Sequence, residues 1–209
     1  SNLLRAFPGS ATLMCMVVPF LADALPESED MIVEGAGLKK VVQALEIHGN
    51  DDETLRQAAL VILLELTATP PYWVNDPDLL RKAAEAVAYL PGADTSSLQC
   101  DILSNLLLLS NPQHFDDLIT RTLIPKIFVH LEDPGLLPAL CRLLKSVCVS
   151  RPSRAKEIAE AGAIGKLAAI AFATDGANEA KVHTLHALCR LILSIDDGID
   201  SLVDTAFIE

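Results

Sequence analysis

A nine-residue pattern returns along the chain at a nearly constant interval, and that recurrence restricts the fold more than any other feature. "IVEGAGLKK", Ile32 to Lys40, lines up with "IAEAGAIGK", Ile158 to Lys166: Ile comes first, Glu third and Lys last, with Gly in the turn. The offset is 126 residues, three times 42, and two intermediate copies lie between, "LLRKAA" from Leu79 and "LIPKIF" from Leu123. Lys40, Lys82, Lys126 and Lys166 follow one another at 42, 44 and 40 residues. Self-similarity at such a period marks a chain built from one supersecondary unit used several times.

A second column is independent of the first. "LLELT" (Leu63 to Thr67), "LSNLL" (Leu103 to Leu107), "LCRLL" (Leu140 to Leu144) and "LCRLI" (Leu188 to Ile192) share a Leu-x-polar-Leu core, at spacings of 40, 37 and 48 residues. The "TDGANE" loop at Thr174 to Glu179 stretches the last interval. Pro70, Pro112 and Pro152 follow the first three copies as helix stops. Asp51-Asp52-Glu53 and Asp94-Thr95-Ser96 sit where N-caps belong.

Each unit therefore reads as a medium helix, a loop and a longer helix. Short leading helices are expected at Ser28 to Glu34, Gln113 to Thr120 and Ser153 to Ala161. In the second unit "PPYWVNDP", Pro70 to Pro77, cannot hold a full helix. Composition agrees: 51% of residues are hydrophobic but only 4% aromatic, with Leu and Ala dominant, and such side chains lose little freedom on a helix. Alternating strand patterns are nearly absent. Because one helix pair cannot bury both its apolar faces, stacked pairs would share a continuous core, and the expected fold is an all-α solenoid of about four helical repeats. The boundaries are an N-terminal capping helix at 1–27, repeats at 28–70, 71–112, 113–152 and 153–196, and the start of a further unit at 197–209. The chain opens Ser-Asn without Met, and a piece of a longer protein is expected.

The short helix, Gly turn, medium helix, polar loop and long helix resemble the armadillo repeat, with the HEAT repeat as near alternative. "EAGAIGKLAAIAF" is similar to that family's "GAI-x-x-L" opening, and "LSNLL" at Leu103 to its "ALxNLA" closing run. The resemblance covers about Ser28 to Ile195 and implies a right-handed superhelix whose long helices line a concave groove. In armadillo proteins such as importin alpha and beta-catenin an Asn ladder in that groove holds an extended peptide, with Trp residues one turn earlier. Here the Asn position matches Glu65, Asn105, Arg142 and Arg190, and the position four residues earlier Val61, Asp101, Pro138 and His186. Only Asn105 keeps the family residue, and no Trp stands in the second column.

Read from the residues alone, Glu179, His183, His186 and Arg190 share one helical face. Arg142 and Arg190 are expected to form a basic end of the groove, Glu65 and Asp101 an acidic end. Arginine suits carboxylates because its planar fork donates two bonds at once, so a partner with an acidic segment is expected to cross Arg142 and Arg190. Trp73 in "PPYWVNDP" is either an exposed anchor or a plug for the missing short helix. The four lysines read as solvated repeat signatures or as an anion-binding ridge.

Other function classes are disfavoured. The net charge of −12 repels phosphate backbones, and no basic stripe offsets it. "ATLMCMVVPFLADAL", Ala11 to Leu25, is shorter than a membrane span and contains Pro19, so a core helix is expected there. The five cysteines, Cys15, Cys100, Cys141, Cys148 and Cys189, form no CxxC pairs and read as reduced core residues of a cytoplasmic or nuclear protein. GxGxxG, Walker, HExxH and GxSxG motifs are missing, and "HTLH", His183 to His186, lacks the companion ligands of a metal site. The expected function is a non-catalytic scaffold or adaptor that binds a partner protein or peptide without a cofactor. Short armadillo arrays also serve heat-shock chaperones as adaptors or exchange factors, and a regulatory segment of a larger enzyme is the third reading.

Overall fold

The computed structural model describes residues 37–68, 76–90, 97–109, 115–173 and 179–195, and no strand occurs among them. The expected cap at 1–27, the Ser28 to Glu34 helix, the Trp73 loop, the Asp94 to Ser96 cap and the 197–209 segment lie outside the described residues. In chain order the elements are α1 (Gly37–His48), α2 (Glu53–Ala68), α3 (Pro77–Ala88), α4 (Ser97–Leu109), α5 (Asp116–Leu118), a π-helical turn (Ile119–Leu123), α6 (Ile124–His130), α7 (Leu137–Ser150), α8 (Pro152–Glu160), α9 (Ala163–Ala173) and α10 (Glu179–Leu193). All described elements are helical. Helices α2, α4, α7 and α10, of 16, 13, 14 and 15 residues, carry the Leu-x-polar-Leu cores. Among the described residues no helix is long and apolar enough to cross a membrane.

Two compact units emerge, 1–94 with 109–111, and 95–108 with 112–209. The division runs through the expected repeat 71–112 rather than between repeats.

In the first unit α1 packs against α2 and α3. Val41, Val42 and Leu45 of α1 are buried together with Leu55, Leu60, Ile62, Leu63 and Leu66 of α2 and Leu80, Ala84 and Val87 of α3. The turn between α1 and α2 is tight: a Cβ on Gly49 would stand 2.5 Å from the Leu45 carbonyl oxygen and 2.8 Å from Leu90, so a side chain has no room there. Asp52 fulfils its expected capping role by accepting from the Leu55 amide at 2.9 Å. Asp76 caps α3 in the same way, accepting from the Leu79 amide at 3.0 Å, with Pro77 opening the helix where no N–H is needed.

In the second unit α7 lies against α6, α8 and α10, and α10 lies against α9. The expected turn after Ser153 to Ala161 is present: α8 stops at Glu160, and Gly162, at φ +90°, turns the chain into α9. In the span expected as the third repeat, 113–152, the structure differs from expectation. No break separates a Gln113 to Thr120 helix from the medium helix. Helical backbone runs from α5 through the π turn into α6, with αR geometry at Leu118, Leu123 and Ile124. The "TLIPK" sequence offers no glycine for a left-handed turn, and Pro125 lacks the amide that would continue a regular ladder, so the chain widens instead of breaking. The widening serves the core. Phe115, Ile119, Leu123, Ile127 and Leu131, four residues apart, are all buried. On a regular helix each four-residue step overshoots a full turn by about 40°, so a stripe that long would rotate out of the core. A wider turn in the middle restores the alignment.

Candidate functional site

Helices α4, α7 and α10 of the second unit carry most of the expected binding residues. Helices α7 and α10 pack together, and both bury apolar side chains, Leu140, Leu144 and Val147 on α7 and Ala187, Leu188 and Leu191 on α10. Between them the Cys141 thiol donates to Thr184 Oγ at 3.8 Å, and Thr184 passes the bond to the Ala180 carbonyl at 2.8 Å. Ser150 Oγ donates to the Leu107 carbonyl at 2.9 Å. These bonds fix the rotation of each long helix and so decide which side chains stay outside.

Asp101 and Arg142 do not stand at opposite ends of a groove. Arg142 Nε donates to Asp101 Oδ1 at 2.9 Å and Nη2 to Oδ2 at 3.1 Å, a two-pronged pair in which each partner is about one-third exposed. The expected basic end loses Arg142, and the expected acidic end loses Asp101, because the two neutralise each other across α4 and α7. A second ion cluster joins α5 to α8 and the residue before it: Asp116 Oδ1 accepts from Arg154 Nε at 3.3 Å and forms an ion pair with Arg151 Nε at 3.2 Å, and Arg154 also pairs with Glu157.

Arg190 and His186 remain exposed, one turn apart on α10. Together with Lys145 of α7, Cys189 and Leu193 they line an open depression of about 350 Å³. Among the described residues Lys145, His186 and Arg190 meet no carboxylate. Such a cluster is conspicuous in a chain with 28 acidic and 16 basic residues. Lys145 was legible in the sequence, because it follows Arg142 by three residues and shares its face. Cys189 and Leu193 carried no such signal. His183 is half-buried and engaged, as is Asn105, the one position that keeps the family residue. Glu65 lies exposed on α2 in the first unit and has a partner of its own, whereas Trp73 falls outside the described residues.

The lysine column divides. Lys82 is exposed, Lys40 donates to Gln43 at 3.3 Å, and Lys166 pairs with Glu132 at 3.6 Å. Lys126 is half-buried, and desolvation holds its pKa below the usual lysine range. Each lysine therefore has a setting of its own.

The cysteines also divide. Burial pushes Cys100 and Cys148 up to about 12 and Cys141 up to about 11, which keeps all three protonated. Cys189, expected in the core, is exposed. No three His, Cys, Asp or Glu side chains among the described residues are placed to hold a metal ion together. No protein-family model matches the chain, and no curated protein or solved structure shows significant similarity to it.

Proposed function

We propose that this protein is a non-catalytic interaction scaffold of stacked armadillo-like repeats, a solenoid that binds another protein on the surface formed by its long helices. The reading is carried by the sequence separation of the bonds between helices in the second unit. Asp101–Arg142 spans 41 residues, Leu107–Ser150 and Cys141–Thr184 span 43 each, and Asp116–Arg154 spans 38. Stacked repeats set each helix against the corresponding helix about one period away, and the sequence period is about 42. Repeats stacked in this way present a preformed surface, so a partner would bind with little ordering cost on the scaffold side.

The depression of Lys145, His186 and Arg190 is the part of that surface we assign to the partner. Affinity capture from cell lysate with the intact chain and with a Lys145→Glu/Arg190→Glu variant tests the assignment. Both side chains are free of intramolecular ion pairs among the described residues, so the variant should fold normally by circular dichroism. A stoichiometric protein retained by the wild type and lost by the folded variant is the expected result. Identical retention on both chains would remove the depression from the site, and the lack of any retained protein would remove the scaffold reading.

A further inference from the structure

Helix α10 exposes an apolar stripe beside the cationic depression. Val182 is 44%, Leu185 40% and Leu193 78% exposed, with Cys189 between them. Their spacing of three, four and four residues keeps them on one face, the seam that one helix offers another. The middle of the same face is covered on the two preceding long helices, while the Leu193 position is open on them as well, at Lys145 on α7 and Leu108 on α4. With Arg142 and Arg190 as equivalent positions, Leu185 and Cys189 correspond to Leu137 and Cys141 on α7, which are 5% and 1% exposed. With Asn105 as the third equivalent, they correspond to Cys100 and Ser104 on α4, at 0% and 6%. On α7 the cover is itself a helix, since Cys141 meets Thr184 of α10. Among the described residues nothing performs that service for α10.

Charge decides what kind of helix fits. His186 and Arg190 run along one edge of the stripe, and Lys145 adds a third cation at the same depression. The depression sits against the last turn of α10, where the helix dipole favours cations and where no free backbone amides point outward. A phosphate site draws on helix N-termini, which this place lacks. Carboxylates on a partner helix need only the side chains that are present.

Resting on the scaffold reading, we propose that the α10 face docks an amphipathic helix of a partner protein. Its apolar side chains pack on Val182, Leu185, Cys189 and Leu193, and its acidic residues line the edge facing Lys145, His186 and Arg190.

Fluorescence anisotropy with the intact chain tests this, using a fluorescein-labelled synthetic peptide of Leu, Ala and Glu about 18 residues long, enough to hold a helix. A matched peptide carries Lys in place of Glu. The Glu peptide should bind at least tenfold more tightly than the Lys peptide. The Lys145→Glu/Arg190→Glu variant should reverse that order, and a Leu185→Asp/Leu193→Asp variant should weaken the Glu peptide at least tenfold. Equal affinities for the two peptides, or Glu-peptide binding that neither variant alters, would overturn the proposal. It would also be overturned if a Leu202→Asp/Val203→Asp substitution were needed before the peptide bound, since the chain's own acidic 197–209 segment would then be the occupant. Self-association that disappears in the Leu185→Asp/Leu193→Asp variant would name a second copy instead. A lysate partner still captured by that variant would leave the scaffold reading standing while this one fell.

Discussion

Removing the Arg142 guanidinium should reveal a structural pair and not an idle binding group. Two charges about 4 Å apart at an effective dielectric of about 20 attract by about 4 kcal/mol before any cost is counted. Ordering two side chains and withdrawing them partly from water offsets most of that, and both remain about one-third exposed. The two-pronged geometry at 2.9 and 3.1 Å places the net coupling at the upper end of the range for surface pairs, about 1 kcal/mol. A double-mutant cycle of Asp101→Asn and Arg142→Met, read by urea unfolding, isolates this value, because Met retains the apolar stem. Each single substitution should lower the melting temperature by about 2–4 °C, and the second should cost little once the first is made. The coupling should shrink in 1 M salt, where the screening length is about 3 Å. A coupling below about 0.2 kcal/mol would refute the argument and return Arg142 to the set of open cations. The same reasoning disqualifies Arg142→Glu as a probe of binding, since it sets two carboxylates against each other and confounds lost affinity with lost stability.

Alkylation with iodoacetamide at pH 8, followed residue by residue in the mass spectrum, should modify Cys189 quickly and spare Cys100, Cys141 and Cys148 until the chain is unfolded. Rapid labelling of Cys100 or Cys148 in the folded protein would contradict the burial that protects them. Those three thiols also predict alkaline weakness: with folded pKa values raised from 9.0 to about 11 or 12, their contribution is complete below pH 9 and is lost as pH climbs from 9 towards 12. The urea midpoint should therefore fall between pH 8.5 and 10.5, by less in a Cys100→Ala/Cys148→Ala variant, and an equal fall in both chains would refute the linkage. Gly162→Ala should destabilise the second unit by about 1–2 kcal/mol through backbone strain alone, because no atom lies within 4 Å of the position a Cβ would take. An unchanged melting temperature would show that the turn tolerates a side chain.

The sequence made the helices legible because their burial is periodic. Leu63, Leu103, Leu140 and Leu188 head the second column, and all four are buried, at 0%, 3%, 0% and 7%. Gly162 and Asp52 were legible for a local reason, since a left-handed turn and an N-cap are decided within a few residues. The continuous run from Asp116 to His130 was not. It depends on a missing glycine, Pro125 and a four-residue stripe acting together, and each of these alone is compatible with a break.

Reading the site met a different obstacle. A repeat column groups residues by their place on their own helix, but an ion pair depends on how two helices are staggered. In this structure the Arg142 position on α7 faces Asp101, four residues before the Asn105 position on α4. Between α7 and α10 the stagger is different: Cys141 meets Thr184, five residues before its own column counterpart Cys189, and Arg190 shares its depression with Lys145 instead of a carboxylate. Arg142 and Arg190 occupy one column and yet meet opposite fates, one closed by an aspartate and the other left open beside Lys145 and His186. The column therefore names the candidates, and the stagger between neighbouring long helices, which differs from one pair to the next, decides which of them is available to a partner.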